Sequence, residues 1–134
     1  MTIRILLGGK MQHEAIEQTK LFNWITFARA AIPELDMLYH IPNGGYRNKR
    51  EAANLKRQGV RAGVPDLCLP VARGNYHGLY IELKYGTNTV TENQREWLNR
   101  LQAQGYAVAI CYGWEQAKHV LEKDLAISKG EKNA

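Results

Sequence analysis

Two short apolar runs of β type stand near the middle of the chain, Leu67-Cys68-Leu69 and Leu79-Tyr80-Ile81-Glu82-Leu83, and both carry charge where a buried strand normally has none. Asp66 opens the first run; Glu82 and Lys84 close the second. Charges so near a strand core cost several kcal/mol unless they are paired or hold a cation. Side chains alternate across a strand. Ile81 and Leu83 therefore face one side and Tyr80, Glu82 and Lys84 the other, while Leu67 and Leu69 oppose Asp66. The segment from Pro70 to His77 reads as the turn of an antiparallel hairpin. In suitable register that hairpin brings Asp66, Glu82 and Lys84 onto one surface.

The rest of the chain divides around this pair. Leu21, Trp24 and Ala28, with Ile25 beside them, recur at helical spacing and predict a helix from His13 to Ala30. Extending that stripe backwards reaches Glu17 and then Glu14, so at least one of these carboxylates points along the buried face. Residues 1–12 read as a loosely held arm or short strand. Pro33 ends the helix, because its ring disfavours a helical residue before it. Met37 to Ile41 is a short strand, broken by Pro42-Asn43-Gly44-Gly45. Asn48 to Gln58 is a basic helix with Ala52, Ala53 and Leu55 inward and Gly59 as its cap. After a loop over 85–90, Thr91-Glu92-Asn93-Gln94 matches a capping box. It opens a helix with Trp97, Leu98 and Leu101 buried, stopped by Gly105. Tyr106 to Cys111 is a buried strand. Trp114 to Lys123 is a last helix with Ala117, Val120 and Leu121 inward, and a polar tail expected to be disordered follows from Ser128. The order α-β-(α)-β-β-α-β-α describes an α/β domain, a central mixed sheet flanked by helices. It divides into an arm (1–12), a core domain (13–125) and a tail (126–134).

Composition narrows the picture. The chain has 134 residues, 45% of them hydrophobic and 23% charged, as expected of one soluble domain. No apolar run approaches the ~20 residues of a membrane span, and the start lacks the features of a signal peptide. The expectation is a protein without a membrane partner, in the cytoplasm (that of a host if the source is viral). Cys68 and Cys111 each fall in a strand and read as small buried hydrophobes, and no Cys or His spacing resembles a zinc site. Trp24, Tyr46 and Trp97 read as packing residues. The net charge of +5 is local: Arg47, Lys49, Arg50, Lys56, Arg57 and Arg61 stand against Glu51 alone between Tyr46 and Arg61. Such a cluster is either a solvated helix face or a surface for a polyanion such as nucleic acid.

Asp66, then fifteen residues, then Glu82-Leu83-Lys84 is the constellation that carries chemistry. A hard cation such as Mg²⁺ takes one or two protein carboxylates with waters and phosphate oxygens. Asp66 and Glu82 supply such carboxylates, and the Leu83 backbone carbonyl a third oxygen. Lys84 shares the face of Glu82, where it can orient or deprotonate a water or neutralise charge on phosphorus. Metal plus lysine suits phosphodiester hydrolysis. An Asp/Glu/Lys ion-pair network across two strands is the alternative that spacing alone leaves open.

Pro65-Asp66…Glu82-Leu83-Lys84 resembles the PD-(D/E)xK nuclease signature. More narrowly, the chain resembles the VRR-NUC (virus-type replication-repair nuclease) family. The resemblance lies in Glu17-Gln18, Ile41 to Gly45, Gly59-Val60-Arg61-Ala62-Gly63-Val64-Pro65-Asp66-Leu67, His77 to Lys84, and Gln94 with Trp97. It implies a restriction-endonuclease-like fold with one inserted helix. It also implies DNA cleavage dependent on Mg²⁺ or Mn²⁺, leaving a 5′-phosphate and a 3′-hydroxyl, with no organic cofactor. Stand-alone members resemble Holliday-junction resolvases that act as homodimers on branched DNA. The other readings are a nicking or flap endonuclease within a replication assembly, and a module that binds branched DNA without cutting. By the same resemblance Glu17 completes the catalytic set of Asp66, Glu82 and Lys84, reaching the metal through water, with Glu14 one turn earlier as a rival. Gln94 is either a site residue or only the partner of Thr91 in the cap. Asn43 either meets DNA or only shapes its turn. Arg47, Lys49, Arg50, Lys56, Arg57 and Arg61 would grip phosphates.

Overall fold

The computed structural model describes residues 2–42 and 48–128, with side chains from His13 onward. Asn43, Tyr46 and Arg47, and the end of the tail from Lys129, lie outside the described residues. Among the described residues four strands form one mixed sheet: β1 (Tyr39–His40), β2 (Leu67–Leu69), β3 (Leu79–Lys84) and β4 (Ala107–Tyr112), in that spatial order. β1, β2 and β3 are successively antiparallel, and β4 runs parallel to β3. Leu67 pairs with Ile81, so Asp66, one residue before β2, stands opposite Glu82. The sequence pattern requires this register, because a slip of one residue would turn every apolar side chain of the hairpin to the wrong face.

Among the described residues four α-helices accompany the sheet: α1 (Thr2–Ala28), α2 (Lys49–Arg57), α3 (Glu92–Ala103) and α4 (Trp114–Leu125). Leu67, Leu69, Ile81, Leu83 and Cys111 on one sheet face join Leu21 and Ile25 of α1 and Ala117 and Leu121 of α4 in a single buried cluster. This is the core. α3 forms the crossover between the parallel strands β3 and β4, which such a pair requires, and it meets the opposite face, where Gln94 reaches Lys84. β3 is the central element: apart from half-buried Tyr80, all its residues are buried. A rigid strand, packed on one face by two helices, therefore carries Glu82 and Lys84 on the other.

Several local expectations need correction. The first helix begins at Thr2 rather than His13, so the segment before His13 is helical and not a strand. It continues through Gly8 and Gly9 despite their poor propensity. Met37 closes a 3₁₀ turn over Pro33–Met37 instead of opening a strand, which leaves β1 two residues long. Ala52 and Ala53 of α2 are exposed, Leu55 is half-buried, and the helix has no buried residue. β4 is an edge strand and not a buried one: Cys111 is covered, while Ile110 and Tyr112 are exposed. At this edge the Tyr112 amide donates to Gln116 Oε1 of α4 at 2.8 Å. The start of the tail is tied down. Ala126 and Ile127 continue the hydrogen bonding of α4, and the Ser128 carbonyl accepts from the Gly74 amide.

Other signals hold as read. Gly59 closes α2 with a positive φ of 106°, the Gly59 amide bonding the Lys56 carbonyl and the Val60 amide the Leu55 carbonyl, a Schellman arrangement. Thr91 and Gln94 form the full capping box of α3. Both cysteines are free and buried, and burial pushes the Cys111 thiol up to about 11.

Candidate active site

Asp66 occupies the point where β2 has not yet begun but β3 still offers a backbone amide. Its Oδ2 accepts from the Leu83 amide at 2.7 Å. The carboxylate thereby takes the place of a further β2 residue in the ladder. A strand residue directs its N–H and C=O to the same side, so the Leu83 carbonyl also projects toward Asp66, beyond the end of β2. The next residue points the other way, and the Lys84 carbonyl accepts from the Gly113 amide past the end of β4. Asp66 and the Leu83 carbonyl are thus placed together by strand geometry. The Asp66 carbonyl is itself held by the Ile41 amide at 2.7 Å and lies 3.0 Å from His40 Nδ1.

Glu82 is 2% exposed and Lys84 6%. Their charged atoms, Oε2 and Nζ, stand 3.4 Å apart, a long ion pair. Lys84 Nζ donates a shorter hydrogen bond, 2.9 Å, to Gln94 Oε1. The same oxygen accepts from the Thr91 amide at 2.8 Å. The two readings of Gln94 therefore coincide: one oxygen closes the cap of α3 and holds the lysine. Glu82 Oε1 is buried without a hydrogen-bond partner, an arrangement that costs free energy as it stands. Burial first, and the nearby Asp66 charge second, push the Glu82 carboxyl up to about 8, with Lys84 opposing. Asp66 is likewise raised, chiefly by burial, against the Leu83 hydrogen bond.

The two carboxylates of α1 are both half-buried, so the helical stripe runs back through both, but they go to different places. Glu17 Oε1 accepts from the Trp114 amide at the start of α4, 3.1 Å away, and its Oε2 pairs with Lys20 at 3.2 Å. Glu14 Oε2 accepts from Asn88 Nδ2 at 2.8 Å, and its charge is among those that raise Asp66. His13 stacks on Tyr85 with ring centroids 4.5 Å apart. The loop after β3 thus holds the Glu14 turn of α1 beside the site. Asn88 carries no sequence signal that separates it from any other loop asparagine.

Gly63 explains why the leader to Asp66 needs glycine. Its φ is +88°, and a Cβ there would lie 2.8 Å from the backbone of Asn93. The leader passes directly against the first turn of α3, fixing Asp66 relative to Gln94. Lys49, Arg50, Lys56, Arg57 and Arg61 are all exposed.

The oxygens fit a hard divalent cation. Asp66 and Glu82 supply carboxylates, the Leu83 carbonyl points the same way, and Glu82 Oε1 lacks a partner. Among the described residues no group of three or more His, Cys, Asp or Glu side chains is placed to hold a metal ion. A cation here would rest on these two carboxylates, a carbonyl, water and substrate, as Mg²⁺ commonly does.

No curated protein matches the chain. A solved structure described as a VRR_NUC domain protein is similar at 32% identity, with a TM-score of 0.77, over 91% of this chain and 97% of that one. The sequence profile of the VRR-NUC domain matches residues 13–115, a span that holds Glu14, Glu17, Asp66, Glu82, Lys84 and Gln94. With that match over most of its length, and with the signature residues brought together on one strand pair, the chain belongs to the VRR-NUC family of nucleases.

Proposed function

We propose that the protein is a divalent-metal-dependent endonuclease that hydrolyses phosphodiester bonds in branched DNA, with the four-way junction as its substrate and a homodimer as its working form. The observation that carries the chemistry is the trio on the Asp66/β3 surface, with Glu82 and Lys84 buried and Asp66 half-buried. Asp66 and Glu82 converge there with Lys84, and one Glu82 oxygen has no partner.

When bound, the cation supplies charge stabilisation and water activation. Asp66, Glu82 and the Leu83 carbonyl would hold it. Glu14 adds negative charge to the same region through its effect on Asp66, whereas Glu17 braces the start of α4. Lys84 carries three N–H donors: one goes to Gln94, one is directed at Glu82, and the third is available to a phosphate oxygen as charge builds on phosphorus. Water adds to phosphorus, the P–O3′ bond breaks, and the products are a 5′-phosphate and a 3′-hydroxyl. A four-way junction needs two matched cuts, which a closed two-fold dimer delivers from identical centres.

The test uses labelled four-way junction, flap and plain duplex with Mg²⁺, with Mn²⁺ and with chelator, alongside Asp66→Ala. Paired symmetric cuts in the junction that vanish with chelator and with Asp66→Ala are the expected result. Nicking of flaps with intact junctions would replace the junction reading, and absence of metal-dependent cleavage on every substrate would overturn the nuclease reading of this site.

A further inference from the structure

The basic helix α2 stands apart from the core. It has no buried residue, yet it is firmly made, with Asn48 Oδ1 accepting the Glu51 amide at 2.7 Å at one end and the Gly59–Val60 closure at the other. At about 100° per residue, Lys49, Arg50, Lys56 and Arg57 fall within an arc of about 120°, with Ala53 at its middle. All five are exposed. Half-buried Leu55 lies on roughly the opposite side of the helix. The cations therefore point away from the body of the protein. Lys49 and Lys56, and Arg50 and Arg57, are each two turns apart, so the cationic pairs are separated by about 10 Å along the axis. The small Ala53 between them lets the helix come close to whatever it meets. Six cations stand against one anion in the segment from Tyr46 to Arg61, a surplus equal to the +5 of the whole chain. Elsewhere acid and base balance.

We infer that this face of α2 is a docking surface for the phosphate backbone of duplex DNA flanking the cut, separate from the cleavage centre and indifferent to base sequence. The choice of DNA rests on the nuclease reading above. Charge complementarity selects a polyanion, and two cationic pairs about 10 Å apart suit an extended backbone rather than a single phosphate. Lysine and arginine contacts of this kind position a duplex without reading it.

Binding to labelled duplex, measured in chelator so that no cleavage intervenes, tests the inference across a salt series. For Lys49→Gln/Arg50→Gln/Lys56→Gln/Arg57→Gln, four lost contacts should flatten the slope of log Kobs against log salt by about 3.6. The double variant Lys56→Gln/Arg57→Gln should flatten it by about 1.8. Arg29→Gln/Lys123→Gln, with the same charge change as the double variant at exposed positions outside α2, should leave the slope unaltered. Unfolding temperatures of all variants should stay near wild type, because none of the substituted cations is buried. An unchanged slope in both α2 variants, or an equal loss in the control pair, overturns the inference. Because binding is read without metal, a protein that binds in this way but never cuts would sink the nuclease reading alone.

Discussion

β3 and α2 are both charged, and they treat charge in opposite ways. On β3, Glu82 and Lys84 are almost wholly buried, and Lys84 is fixed by Gln94. On α2, Lys49, Arg50, Lys56 and Arg57 are all exposed on one side of a helix with no buried residue. The first arrangement is expensive and accurate, since low dielectric magnifies each interaction and each unmet bond. The second is cheap and tolerant, because screened charges need only a common direction. Bond-breaking demands placed charge and holding a polyanion demands only enough of it, so in the proposed reading one chain divides the two tasks between a core strand and an exposed helix.

The sharpest way to break the contrast is Asp66→Ala. It removes a proposed cation ligand and the acceptor of the Leu83 amide at once. Cleavage should fall by on the order of 10³-fold, and unfolding free energy by about 1–3 kcal/mol for the orphaned amide; no four-cation change on α2 should approach either.

The buried carboxyls also predict how stability depends on pH. Glu82 is raised from 4.5 to about 8, and Asp66 is raised too, so the folded state binds protons that the unfolded chain has released. In chelator, stability should be highest in mild acid and fall as pH rises from about 4.5 through about 8, by on the order of a few kcal/mol. Glu82→Gln should flatten that profile in thermal melts. Divalent cation should restore stability at the alkaline end of the wild-type profile, and a wild-type profile that rises with pH would contradict the burial of Glu82.

Smaller effects dissect the supports. Gly63→Ala must move the leader off Asn93 and adopt a positive φ, for a loss of about 2 kcal/mol by chemical denaturation. Glu14→Gln should weaken metal affinity or cleavage about 10–100-fold, while Glu17→Gln should leave cleavage near wild type and cost about 0.5–1 kcal/mol at the start of α4. The reverse outcome would return the α1 carboxylate of the site to Glu17. Least of all, Thr91→Ala removes the hydroxyl that accepts the Gln94 amide but keeps the Thr91 amide. It should cost about 1 kcal/mol of stability and little rate.

Much of this was legible in the sequence, and the reasons are specific. Alternation in Leu79 to Lys84, with a charge on each side of the turn, suffices to bring Asp66, Glu82 and Lys84 together, because an antiparallel hairpin with one buried face has few registers to choose from. The capping box and the Gly59 closure are local, so they read directly. What periodicity does not report is whether a neighbouring element covers an apolar face. Ala52 and Ala53 are apolar positions of a helix yet are exposed, and Ile110 sits in an apolar run on an edge strand. Glu14 and Glu17 share one stripe; only the positions of Asn88 and the start of α4, both distant in sequence, separate them.

The hydrogen bond between Gln116 and the Tyr112 amide bears on how the protein survives at high concentration. An unpaired strand edge flanked by Ile110 and Tyr112 is a template on which another extended segment can zip up and seed aggregates. With that amide already satisfied from α4, an incoming strand finds one rung of the ladder taken at the C-terminal end of β4. It would have to displace a helix side chain to extend past it.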